Sequence, residues 1–115
     1  MNDLSVCPSI VKRKSHLSKS QQRLLQVFQE LNFGKIQQLH VKAGEPLLTP
    51  SPRILKDLKI PGANDARVES HLKDFELKRE HLEFFHHLHA LGDGVLELIE
   101  VRHGLPVRLL IESTT

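Results

Sequence analysis

Apolar residues recur along this chain with two different periods, and the change between them marks the elements. Leu17, Leu24, Phe28 and Leu31 fall on one face of a helix, introduced by Ser18 and Gln21 at capping-box spacing and stopped at Gly34. Beyond Gly34 the period shortens. Ile36, Leu39 and Val41 lead to Gly44, and Pro46, Leu47 and Leu48 lead away, which predicts a β-hairpin. The three-residue step from Ile36 to Leu39 requires a bulge if both are to share a face. For the turn, a type I turn with Gly44 as a G1 bulge is expected, because a type I′ turn demands a positive φ at Ala43. The prolines of Thr49-Pro50-Ser51-Pro52 then interrupt pairing, and a third strand is predicted over residues 53–60 with Ile54, Leu58 and Ile60 on one face.

Residues 61–71 are the longest polar stretch and read as a connector. A second helix is predicted from Leu72 to Leu91, with Leu77, Phe84, Phe85, Leu88 and Leu91 on one face and Gly92-Asp93-Gly94 as its stop. Leu96, Ile99 and Val101 approach a His103-Gly104 turn. In the final strand Leu105, Val107, Leu109 and Ile111 alternate with Arg108 and Glu112.

The two halves overlay without a gap at an offset of 60 residues. Phe28 meets Leu88, Gly34 meets Gly94, Ile36 meets Leu96, Leu39 meets Ile99, Val41 meets Val101, Gly44 meets Gly104 and Pro46 meets Pro106. Local helix and hairpin rules explain the glycines but not the shared spacing or the shared proline, so the expectation is an internal helix-hairpin duplication with repeat units at about 17–48 and 77–111. A single helix-hairpin leaves its apolar faces bare. Two of them predict an α+β fold: a two-layer sandwich of about five mostly antiparallel strands with two helices on one face, in the order α-β-β-β-α-β-β. The segment from Gly34-Lys35-Ile36 to Val41-Lys42-Ala43-Gly44, after a short amphipathic helix, resembles short bacterial proteins of the YezD-like type. The resemblance covers about thirty residues of each half, and that group has no settled activity to imply for this chain.

Composition changes this picture in few places. The chain has 115 residues, the size of one domain, and with neither Trp nor Tyr its core must be built from Leu, Ile, Val and five Phe. Residues 1–16 lack a sustained period and read as a flexible basic arm preceding a single domain at 17–115. No apolar run reaches the roughly 18 residues of a membrane span, there is no apolar secretory signal, and Cys7 stands alone, so a cytoplasmic protein is expected. Lys12, Arg13, Lys14, Lys19 and Arg23 face only Asp3 within residues 1–23, whereas the rest of the chain is slightly acidic.

Candidate chemistry is sparse. His81, His86, His87 and His89 crowd one helix, but no HExxH spacing or third ligand accompanies them, so no metal is expected, and His81 reads as a hydrogen-bonded histidine at the edge of the core. Neither a nucleophile motif nor a Gly-rich phosphate loop is present, so neither an enzyme nor a cofactor is expected. Phe75 and Leu82 fall on a helix flank away from the core stripe, continued by His86 and His89. These four are the candidate partner-binding residues, for another protein or for a second copy in a homodimer. Coverage of that flank by an arm carrying Val6, Ile10 and Val11 is the competing reading. The expected function is a small non-enzymatic interaction or regulatory module. The alternative is a nucleic-acid-binding protein with Lys12, Arg13, Lys14, Lys19 and Arg23 on phosphates. Missing Trp and Tyr weigh against the stacking such binding uses.

Overall fold

A computed structural model describes residues 13–49, 51–62 and 74–112. The elements, in chain order, are α1 (Lys19–Leu31), β1 (Gly34–Lys42), β2 (Glu45–Leu47), β3 (Arg53–Lys56), α2 (Arg79–Leu91), β4 (Gly94–Arg102) and β5 (Leu105–Ile111). The expected α+β sandwich is the observed one. The antiparallel sheet runs β2-β1-β4-β5, and β3 pairs with the same edge of β1 as β2 does. No helix among the described residues is long and apolar enough to cross a membrane.

The first helix starts where its sequence directs. Ser18 Oγ accepts the Gln21 N–H while Gln21 Oε1 accepts the Ser18 N–H, closing the capping box of α1. In α2 the corresponding place is taken by His81, whose Nδ1 accepts the Lys78 N–H at 3.2 Å from a site almost sealed from solvent. The expectation of a hydrogen-bonded histidine in the core therefore holds. The second helix is shorter than its period suggested, beginning at Arg79, so that Phe75 and Leu77 precede it; Leu72 lies outside the described residues. The first helix ends at Asn32, at φ 61, before Gly34 is reached. Gly92 holds the same cap place in α2, at φ 72, and after each cap the next N–H turns back to the last helical carbonyl, Phe33 to Leu31 and Asp93 to Leu91.

The core lies between the helices and one face of the two central strands. Leu24, Leu25 and Phe28 from α1, Phe84, Phe85 and Leu88 from α2, and Ile36, Leu39, Leu96 and Ile99 from the sheet are all buried. Gln38, at φ 61, is the extra residue that returns Leu39 to the face of Ile36, as the predicted bulge required. β4 takes the same three-residue step from Leu96 to Ile99, and its pairing with β5 shifts register there.

Six of the seven residue pairs between β1 and β4 map onto one another when each residue is exchanged for the one 60 positions away. Ile36 opposite Ile99 becomes Leu96 opposite Leu39, and Gly34 opposite Val101 becomes Gly94 opposite Val41. The hairpin turns obey the same exchange. The Gly44 N–H donates to the Gly92 carbonyl and the Gly104 N–H to the Asn32 carbonyl, so each turn is seated on the helix end of the other half.

Three expectations are corrected. The first hairpin turn is not a bulged type I turn: Ala43 and Gly44 have φ 52 and 77 between the paired Lys42 and Glu45, as a type I′ turn requires. The Ala43 N–H donates to Asp93 Oδ1 at 2.7 Å, and this bond across the halves offsets the cost of a left-handed alanine. The third strand ends at Lys56, and all four of its residues are exposed, with Leu58 and Ile60 beyond it. In β5, finally, the simple alternation fails. A register shift between Glu100 and Val101 inserts Val107 as an extra residue, burying Pro106 and leaving Val107 and Ile111 exposed.

Ahead of α1 the chain is tied down rather than loose from residue 13 onward. Arg13 bridges to Glu76, the Lys14 N–H donates to the Phe75 carbonyl, and Lys14–His16 forms one 3-10 turn. Asp74 fastens this segment, accepting from Arg13 Nε at 2.9 Å and from the Ser15 N–H at 3.0 Å. These bonds, the Arg13 one foremost, hold its carboxyl down from 3.8 to about 2. Ionised Asp74 therefore favours the docked segment fully above pH 3.8, and the contribution drains away as pH falls toward 2. Amide exchange at Ser15 is expected to accelerate across that window before the strands lose protection. In Asp74→Asn the acceleration should be present already at pH 6, and equal Ser15 protection in the two proteins would refute the assignment.

Candidate functional site

The structure keeps part of the candidate partner-binding set together, Leu82 and His86 on α2, and places Phe75 ahead of that helix. Phe75 is half-buried before α2, packed against the core, with the Lys14 ammonium 5.6 Å from its ring centre. Lys14 thus lies against this residue; the competing reading, coverage by Val6, Ile10 and Val11, falls outside the described residues. Leu82 is likewise half-buried against the core. His86 is exposed beside His87. His89 backs the first hairpin turn so closely that a Cβ on Gly44 would lie 3.2 Å from its Cα. Its counterpart Gln29 donates to the Gly104 carbonyl under the second turn. His89 thus helps seat a turn, while Leu82 and His86 line one shallow cleft on α2 together with Arg79, Glu83 and His87.

The basic residues are divided as well. Arg13 is held by Asp74, and Lys14 is buried with its ammonium 3.3 Å from Gln26 Oε1. Lys19 and Arg23 are exposed on α1, and Lys12 lies outside the described residues. Among the described residues no group of three His, Cys, Asp or Glu side chains is placed to hold a metal ion.

A different surface emerges at β5. It is the outermost strand of the sheet, and among the described residues nothing pairs with its free edge. Val107 is 46% exposed, Leu110 42% and Ile111 40%, an unusual set of large apolar side chains for an unpaired strand. On the helix side the strand borders a cleft of about 600 Å³ lined by Glu80, Glu83, Phe84 and His87 of α2 together with Val107 and Ile111. On the other side of the sheet Leu110 stands opposite Leu98 and Arg108 opposite Glu100, whose carboxylate also pairs with Arg102 at 2.7 Å. The opposite edge differs. β2 and β3 lie end to end along β1 and are short, and the two prolines between them cannot donate to a neighbouring chain.

Sequence periodicity concealed this surface. The alternating leucines and valine of β5 imitate a strand with one buried face, and only the register shift at Val107 reveals otherwise. A signal was nevertheless present: Leu109, Leu110 and Ile111 are consecutive, so one of them had to leave the core face of the strand. Comparison of the chain with protein-family models, with curated proteins and with solved structures finds no match in any of the three.

Proposed function

We propose that this protein is a non-enzymatic interaction module, acting in the cytoplasm, whose docking surface is the β5 edge with the α2–β5 cleft beside it. The observation that carries this reading is a free strand edge that bears the exposed side chains of Val107, Leu110 and Ile111. An added strand would satisfy the edge amides while its alternate side chains enter the cleft. The nucleic-acid reading has less support, because Arg13 and Lys14 are engaged within the fold. As part of the same proposal, the two halves are copies of one helix-hairpin unit of the YezD-like kind, a view supported by the 60-residue exchange of the β1–β4 register and of the turn hydrogen bonds. In the first copy the prolines blunt the outer edge; in the second copy the equivalent edge stays open.

A displayed library of random peptides tests the docking surface. Selection on the protein should enrich extended sequences with alternate apolar residues, and Leu110→Lys should abolish their binding by placing an ammonium on the edge. No enrichment, or peptides that bind the variant equally well, would overturn the proposal.

A further inference from the structure

The free edge of β5 is complementary to itself, and we infer that its occupant is a second copy of this chain, joined by antiparallel β5–β5 pairing centred on Leu110. This rests on the docking surface proposed above and adds the partner and the register.

From Arg108 to Ile111 the strand is regular, with Arg108 opposite Glu100, Leu109 opposite Ile99 and Leu110 opposite Leu98. Side chains therefore alternate: Arg108 and Leu110 point away from the helices, Leu109 and Ile111 point toward them, and the same alternation carried one residue past the strand sets Glu112 on the face of Arg108. A two-fold axis perpendicular to the sheet at Leu110 keeps the helices of both copies on one face. It sets Leu110 against Leu110 of the second copy once, on the axis, and Leu109 against Ile111 and Arg108 against Glu112 twice each. On the outer face one row then reads Lys35, Glu100, Arg108 and Glu112 of the second copy, alternating in sign across four strands. The next row places Leu98 and Leu110 against the same two residues of the partner.

Neighbouring registers lose this match. Centred on Leu109, the pairing sets Arg108 against Leu110 and Glu112 against Pro106, which has no N–H to donate. Centred on Arg108, it brings the two guanidiniums together, and centred on Ile111 it sets Leu110 against Glu112. Arg108 is available for a new partner: its side chain is 61% exposed, and its nearest approach to Glu100 is 4.0 Å. Exposure of Leu110 and Ile111 ends in the same contact, Ile111 and Leu109 meeting beside the mouth of the α2–β5 cleft.

Sedimentation velocity on the full chain, with charge reversal, tests the inference. The wild type should sediment as a dimer at micromolar concentration. Arg108→Glu and Glu112→Arg should each weaken the dimer about tenfold or more, since both copies of the pair become like-charged, and the double variant Arg108→Glu/Glu112→Arg should recover it. With Cys7 replaced by Ser, Leu110→Cys should cross-link two chains on mild oxidation. Val107→Cys should not, because its two copies are about 20 Å apart in this register. A monomeric wild type, dimers insensitive to both reversals, or cross-linking through residue 107 in place of 110 would overturn the inference. Should a single reversal disturb folding, the cysteine pair alone decides. A monomer that still selects peptides through Leu110 would remove the second copy while leaving the docking surface standing.

Discussion

Replacing Phe28 by Ala is expected to lower the stability of the domain by about 3–5 kcal/mol, the largest loss from any single side chain here. Phe28 is fully buried, and its ring meets that of Phe84 edge-on at 5.2 Å; Phe84 in turn meets Phe85 at 5.2 Å. The Phe28–Phe84 contact joins α1 to α2. Beneath it Ile36, Leu39, Leu96 and Ile99 are fully buried in the paired central strands. The strands are held in register by their ladder, so they cannot rise to fill the space a missing ring leaves, and the cavity cost is added to the lost transfer energy. A domain of this size has a total stability of about 5–15 kcal/mol, so the variant retains at best a fraction of it. Phe33→Ala is the control. That ring is only half-buried, set edge-on to His103 at 4.7 Å, and its removal should cost less than half as much. Chemical denaturation followed by circular dichroism measures both, and a Phe28→Ala cost below about 1.5 kcal/mol would mean that the two helices do not share one core.

The periods in the sequence made the layer arrangement legible because burial on one face writes itself into the chain wherever it is continuous. Phe28, Ile36, Leu39, Leu96 and Ile99 were readable as core residues, and even the bulge at Gln38 follows from the spacing of its neighbours. What could not be read depended on contacts between the halves. The left-handed Ala43 is bonded to Asp93, fifty residues away, and no local rule contains that partner. The docked segment at 13–17 depends likewise on Asp74. The surface at β5 was missed for a related reason: the register shift that exposes Val107 is decided by the neighbouring strand and by where the turn places Pro106. The candidates at Phe75 and Leu82 assumed a helix beginning at Leu72; with the start at Arg79, Phe75 is free to turn under Lys14.

Equivalent positions in the two halves offer the second large effect, a contrast between Gly34→Ala and Gly94→Ala. Each glycine opens the first strand of its hairpin, and neither has a positive φ, so the backbone tolerates alanine at both. Their surroundings differ. A Cβ on Gly34 would lie 2.2 Å from the Leu55 carbonyl oxygen and 2.9 Å from Leu31 Cδ1. The carbonyl belongs to β3, whose Lys56 pairs with Gly34 itself, so it yields only if the strand moves. The three atoms nearest a Cβ on Gly94 all belong to the Leu91 side chain, the closest being Cδ1 at 3.2 Å, and a leucine methyl shifts by a few tenths of an ångström at small cost. Gly34→Ala is therefore expected to destabilise by about 1–3 kcal/mol, relieved in part by release of β3. Gly94→Ala should lie within about 0.5 kcal/mol of wild type, since alanine's smaller loss of backbone freedom offsets the crowding. Amide exchange separates local from global effects. In Gly34→Ala the amides of Arg53–Lys56 should lose protection while those of β4 and β5 keep it, because all four β3 residues are already exposed and the core does not depend on them. Equal costs at the two glycines, or full protection of β3 in Gly34→Ala, would show that β3 does not press against β1 at Gly34.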